Sequence, residues 1–160
     1  MASEVRELDR IDRKILRTLQ DFGRLSNVDL AKMVNLSPTP CLERVRRLER
    51  DGFIKGYKAI LEPAKLGQAL TVFVQMTLDR TTPDVFDLFR DKVRELPEVV
   101  ECHMVAGGFD YLLKIRVRDM TAFRHFLGEQ LTSLTGVLTT HSYVVMEGVK
   151  EGDSVTILES

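Results

Sequence analysis

An α+β chain in two parts is predicted, helices first and then strands alternating with helices, and three observations carry it. Through residues 8–51 apolar side chains recur at steps of three and four, as one face of a helix requires. From Thr71 onward, short runs rich in Val, Ile, Phe and Tyr alternate with helical stretches. Between the two regions, residues 62–68 hold Pro63 and Gly67 and read as a hinge. The expected division is a helical domain at 1–61, a hinge at 62–70 and a second domain at 71–160.

Residues 1–7 read as a loose arm. The first helix is predicted over 8–22, where Leu8, Ile11, Ile15, Leu19 and Phe22 make its stripe, and Gly23 ends it. Ser26 caps the next helix, and Asp29 completes a capping-box-like pair. Val28, Leu30, Ala31 and Val34 form its apolar side. Asn35, tolerant of positive φ, takes the tight turn.

Ser37-Pro38 opens a third helix, because proline's missing N–H costs nothing in a first turn, and Pro40 stiffens that turn further. Cys41, Val45 and Leu48 fall at i, i+4 and i+7 and point inward. Thr39, Glu43, Arg46, Arg47 and Arg50 lie opposite, with Arg44 on the flank and Gly52 as the stop. Two short helices, a tight turn and four arginines on the second helix have the shape of a helix-turn-helix. Residues 52–61 look extended, as half of a small wing.

The second part opens with a strand at 71–78, and Thr82-Pro83-Asp84 starts a helix carrying Val85, Phe86, Phe89, Val93 and Leu96. Strands at 99–106 and 109–117 are expected to meet at Gly107-Gly108, a hairpin signal. Asp119 begins a helix with Phe123, Phe126, Leu127 and Leu131, and 137–149 is a last long strand. A shift of 38 residues lays Leu96-Pro97-Glu98-Val99 on Leu134-Thr135-Gly136-Val137. Two βαβ halves of this kind make a ferredoxin-like βαββαβ sandwich. Val72-Phe73-Val74, Val99-Val100 and Tyr143-Val144-Val145-Met146 read as apolar on both faces. A two-layer sandwich exposes one sheet face, so the second face is expected to bury against another copy, giving a homodimer.

Residues 1–60 hold 13 Lys+Arg against 9 Asp+Glu, and 61–160 hold 10 against 15. A basic head on an acidic body suggests an anion-binding function for the first part. The start, MASEVRELDR, lacks a secretory pattern, and two isolated cysteines, Cys41 and Cys102, suit a reducing cytoplasm.

A helix fits the DNA major groove and reaches base edges with its first turns. Ser37, Thr39 and Pro40 stand at that end of the third helix, where amides and the helix dipole favour phosphate. Arg47 is expected to bind guanine with two donors and Glu43 to accept from cytosine, while Arg44, Arg46 and Arg50 hold phosphates. Arg46 and Arg50 are a like-charge i,i+4 pair, which a phosphate would relieve. The blander reading is a solvated helix face. Because the basic excess is small, one copy should bind weakly and several linked copies tightly.

Other readings are weaker. A metal sensor would use Cys102, His103, His125 and His141, but neighbours on a strand point to opposite faces, so Cys102 and His103 cannot easily share an ion. No GxSxG, phosphate loop or HExxH is present to support an enzyme. A nonspecific architectural DNA protein is the remaining alternative. Cys41, on an apolar stripe, reads as a small core residue.

The run from Ser37 to Glu49, SPTPCLERVRRLE, followed by Gly52-Phe53-Ile54, resembles the Lrp/AsnC family of regulators. Glu101-Cys102-His103-Met104-Val105, Phe109-Asp110-Tyr111-Leu112-Leu113-Lys114 and Tyr143-Val144-Val145-Met146-Glu147 carry the likeness onward, from about residue 8 to 150. The resemblance implies a winged helix-turn-helix joined to a ferredoxin-like domain, in dimers that associate into octamer-like discs around which double-stranded DNA wraps. It implies no cofactor, only an effector: leucine or another apolar amino acid, bound between dimers. By the same resemblance Asp110 orients the ligand's charged end; Met104, Val144 and Val145 read as apolar walls for a leucine-like side chain or equally as sheet packing, with Gly107 and Tyr143 beside them. Without it, Asp110 reads as a hairpin-end residue making local hydrogen bonds. One departure stands out. The family's turn is commonly Gly-Asp-x-Asp, and here it is Gly107-Gly108-Phe109-Asp110, a change expected to loosen the turn or alter ligand choice.

Overall fold

The computed structural model describes residues 7–79, 82–152 and 154–158, so the arm expected at 1–7 lies outside it except for Glu7. The chain forms two compact units. One runs to Ile60 and takes in the segment from Glu151; the other is Leu61–Lys150. The second domain therefore ends about ten residues earlier than the expected 71–160 boundary.

In the first unit, α1 (Arg10–Asp21) starts later than expected because Asp9 caps it, its carboxylate accepting from the Asp12 amide at 2.8 Å. Phe22 falls outside the helix and is mostly exposed. The next helix, α2 (Asn27–Val34), is capped by Ser26, whose Oγ accepts from the Asp29 amide at 3.1 Å and lies 2.6 Å from the Asp29 carboxylate. Val28 is exposed, so the buried side of α2 is Leu30, Ala31 and Val34 alone. Asn35 takes the left-handed turn at φ 60° into α3 (Pro38–Arg50). Ile15, Leu30, Ala31, Val34, Cys41, Val45 and Leu48 close one core. Burial pushes the Cys41 thiol up, which keeps it a packing group.

The expected wing does not form a ladder within one chain. Phe53 and Ile54 amides both donate to the Leu48 carbonyl, at 3.0 and 3.2 Å, and 54–62 continues without strand pairing. A wing needs a second strand, and the described residues of this unit supply none. The segment from Val155 lies against α1 instead. Gln20 exchanges two hydrogen bonds with the Val155 peptide, at 2.9 and 3.0 Å. Arg17 Nη2 and Arg13 Nη1 donate to the Ile157 and Leu158 carbonyls at 2.7 and 2.5 Å.

The second unit follows the expected β-α-β-β-α-β order. It comprises β1 (Leu70–Leu78), α4 (Pro83–Arg94), β2 (Val99–Met104), β3 (Tyr111–Val117), α5 (Met120–Phe126) and β4 (Val137–Val144). A wider π-type turn, Leu127–Leu131, extends α5. The sheet order is β2-β3-β1-β4, antiparallel at every pairing. Val72, Val74, Met76, Tyr111, Leu113 and Ile115 face the helices and meet Phe89, Val93, Phe123, Phe126 and Leu131. The internal repeat reappears as geometry: Val99 N donates to Leu96 O at 3.1 Å, and Val137 N to Leu134 O at 3.3 Å.

Gly136, in the second of those turns, sits at φ 89°, and a Cβ there would lie 2.8 Å from Val85 Cγ1. Gly136→Ala is expected to destabilise this unit by ~1–3 kcal/mol through strain and overpacking. Thermal denaturation checks it, and an unshifted midpoint would remove the argument.

Three strand expectations change. The Gly107-Gly108 turn is a six-residue loop at 105–110 with neither glycine at positive φ. β4 stops at Val144, leaving Met146 and Val149 almost fully exposed beyond it. The open sheet face is mixed rather than apolar, because register places Phe73, Leu112 and Tyr143 there beside Gln75, Glu101, Lys114 and His141. Val72, Val74 and Val144 lie on the helix side, and Val99-Val100 falls at a register shift.

Candidate nucleic-acid interface and effector residues

α3 presents Ser37, Thr39, Pro40, Glu43, Arg46 and Arg50 exposed, opposite its buried Cys41, Val45 and Leu48. An open groove of about 420 Å³ runs along this side, lined by Pro40, Glu43, Arg44, Arg46, Arg47 and Arg50. Asn27 Nδ2 donates to the Pro38 carbonyl at 2.8 Å, so the start of α2 holds the start of α3. Pro38 and Pro40 carry no N–H, which leaves the Thr39 amide as the backbone donor of the first turn beside the Ser37 and Thr39 hydroxyls. Ser37 makes no side-chain capping bond. An anion at this end has fewer amides than a helix start ordinarily offers.

The four arginines are not equivalent. Arg46 has no ion-pair partner among the described residues, and Arg50 Nε lies 3.5 Å from the adjacent Asp51. Arg44 Nη1 donates to Asp9 at 2.6 Å and to Asp12 at 2.8 Å. Arg47 Nη2 reaches both oxygens of Asp12, at 2.9 and 3.0 Å. Asp12 is 1% exposed. The Asp9 hydrogen bond, then that of Asp12, pushes the Arg44 guanidinium up. For Asp9 itself, partial burial raises the carboxyl but is outweighed by Arg44 and the Asp12 amide, which hold it below the ordinary carboxylate range.

The two-pronged guanine contact expected of Arg47 meets a competing partner in Asp12. A bidentate fork needs two adjacent outward donors. Here Nη2 is committed to Asp12 and Nε is buried without a partner. The exposed cationic side chains of α3 are therefore Arg46 and Arg50; the sequence alone set Arg44 apart, on the flank, but did not separate Arg47 from them.

The proposed effector residues do not converge within one chain. Met104 ends β2, and Gly107 and Asp110 belong to the loop after it. Tyr143, Val144 and Val145 lie at the end of β4. β2 and β4 are opposite edges of the sheet, roughly 14 Å apart at ~4.8 Å per strand step. Asp110 closes its hairpin: Oδ2 accepts from the Leu78 amide at 2.7 Å, its N–H donates to Met76 O at 3.0 Å, and its carbonyl accepts from Val105 N at 2.9 Å. The local reading of Asp110 thus accounts for one carboxylate oxygen. Gly108 has open space where a Cβ would stand, so a side chain would fit there, and the turn closes through the Asp110 bonds without one. Tyr143 Oη donates to Gln75 at 3.3 Å, and the Val145 amide to Thr71 O at 3.0 Å.

The four residues of the metal reading are dispersed. Cys102 pairs with the buried Leu113, and burial pushes its thiol up to about 11. His103 lies 3.3 Å from Glu101 on the other face, His125 3.0 Å from Glu129 on α5, and His141 on β4. Among the described residues no helix is long and apolar enough to cross a membrane.

Comparison with known proteins agrees with both halves. Residues 71–155 match the Lrp/AsnC ligand-binding domain, and 8–55 match a winged helix-turn-helix DNA-binding domain. The leucine-responsive regulatory proteins of Klebsiella pneumoniae and Escherichia coli are each 59% identical over 152 residues, covering 95% of this chain and 93% of theirs. A transcriptional regulator of Neisseria meningitidis, solved as a complex with L-Met, superposes with a TM-score of 0.90 at 39% identity, over 94% of this chain and 97% of that one. An AsnC family regulator from Agrobacterium tumefaciens gives 0.88 at 37%, over 93% and 97%.

Proposed function

This chain belongs to the Lrp/AsnC family of transcriptional regulators, and from that premise we propose that leucine, or another apolar amino acid such as methionine, controls its grip on promoter DNA. The protein is a DNA-binding regulator with a helix-turn-helix head and an amino-acid-binding body. The observation that carries the effector reading is the 59% identity, over nearly the whole chain, to proteins named for their leucine response. The L-Met complex of the Neisseria relative is why methionine stands second.

The effector site in this proposal is shared between copies. Met104 and Gly107 belong to the β2 edge and Asp110 is held to Met76 and Leu78 on β1, whereas Tyr143, Val144 and Val145 lie at the far end of β4 beside Thr71 and Phe73, so a neighbouring chain is what brings the two groups together. Assembly into dimers and then a larger ring, an octamer in the simplest version, supplies that neighbour. It also links several heads, each with a small basic excess, into one tight binder.

The test measures affinity for a DNA fragment selected by the protein from a random pool, with and without millimolar leucine, methionine or aspartate. Leucine is expected to change the affinity several-fold, methionine to act in the same direction, and aspartate to do nothing. Equal affinity under all conditions would overturn the effector assignment while leaving DNA binding intact.

A further inference from the structure

The recognition helix reaches its partner charges on α1. Asp12 is a buried carboxylate that meets Arg44 Nη1 at 2.8 Å and Arg47 Nη2 at 2.9 and 3.0 Å, and Asp9 takes Arg44 Nη1 at 2.6 Å. The two arginine side chains are 24% and 27% exposed, so both sit mostly inside the unit while still lining the groove along α3. Arg47 holds this pose although its Nε is buried with no acceptor. The Asp12 carboxylate holds that pose with both of its oxygens.

The charge sum explains what such an arrangement does. Two carboxylates facing two guanidiniums cancel, so Arg44 and Arg47 add shape and a few directed donors to the groove but little net field. Arg46 and Arg50 supply the field. An attraction to any phosphate backbone is therefore limited, whereas donors fixed in direction favour one arrangement of base edges and phosphates over others.

We propose that Asp12, assisted by Asp9, is a positioning residue for sequence discrimination: it aims Arg44 and Arg47 and keeps their charge from serving nonspecific binding. This rests on the DNA-binding reading of α3. The carboxylates touch no DNA in this scheme and act through the arginines they hold. A structural role alone predicts a different pattern, in which loss of the carboxylate weakens binding to every DNA alike.

The experiment uses full-length protein and two probes, the fragment enriched from a random pool by the wild type and a scrambled fragment of equal length. Asp12→Asn keeps the shape and removes the charge. It is expected to raise affinity for the scrambled fragment, to steepen the slope of log affinity against log salt by about one per bound head, and to lower the selected-to-scrambled ratio roughly tenfold. A ratio equal to wild type, or equal losses on both probes, would overturn the proposal. Asp9→Asn decides the matter if Asp12→Asn does not fold, because asparagine caps a helix as well as aspartate does. The same shift in smaller measure is expected, and unchanged slope and ratio would overturn it. A wild type that does not discriminate the probes sinks the DNA reading itself. A discriminating wild type with indifferent variants sinks only this inference.

Discussion

Alanine at both Arg46 and Arg50 is expected to cut DNA affinity roughly tenfold or more per head and to lower the salt slope by about two, uniformly across sequences. These two arginines are the exposed cations of α3, one without an ion-pair partner among the described residues and the other only near its neighbour Asp51. Each lies across the helix from Cys41, Val45 and Leu48, so neither supports the core. Folding should therefore be nearly unaffected, within ~0.5 kcal/mol for exposed positions. Removing a like-charge i,i+4 pair even returns a few tenths, ~0.2–0.5 kcal/mol. Binding titrations across a salt series make the measurement. A slope unchanged from wild type would place these residues outside the interface.

Phe89→Ala is expected to cost ~3–5 kcal/mol, a large share of the ~5–15 kcal/mol that holds a domain together. Phe89 is 1% exposed, and its ring centroid lies 4.4 Å from that of Tyr111 at an interplanar angle of 34°. It joins α4 to the sheet at β3, where Leu113 and Ile115 continue the same packed face. The helix-turn-helix unit has its own core around Ile15 and Leu48 and should keep its helical signal. Calorimetry should then resolve an early transition for the second unit and a later one for the first. A single transition at the wild-type temperature would contradict the account of two separate cores.

Much of this was legible because local chemistry and global fold agree. Ser26 with Asp29, Asn35 at positive φ, and Cys41, Val45 and Leu48 on one stripe each specify geometry within a few residues. The repeat turns at Val99 and Val137 were visible for the same reason. What escaped the sequence is long-range pairing within the chain. Nothing near Arg47 announces Asp12, which lies 35 residues upstream on another helix. A strand's edge position also has no local signature, so the opposite placement of β2 and β4 had to come from the register. The glycine pair at 107–108 suggested a two-residue turn, but Asp110, bonded to Leu78 and Met76 on β1, sets where the loop closes.

The strip laid along α1 bears on the order of synthesis. Gln20 pairs in both directions with the Val155 peptide, and Arg17 and Arg13 hold the next carbonyls. These are contacts to main chain, indifferent to which side chains the strip carries, and Val155 and Leu158 indeed point largely to solvent. Yet the strip leaves the ribosome only after Lys150, when the whole second unit has already emerged. The head that meets DNA is thus begun first and finished last. A fragment cut at the hinge, the natural choice for studying that head alone, would lack a piece of it.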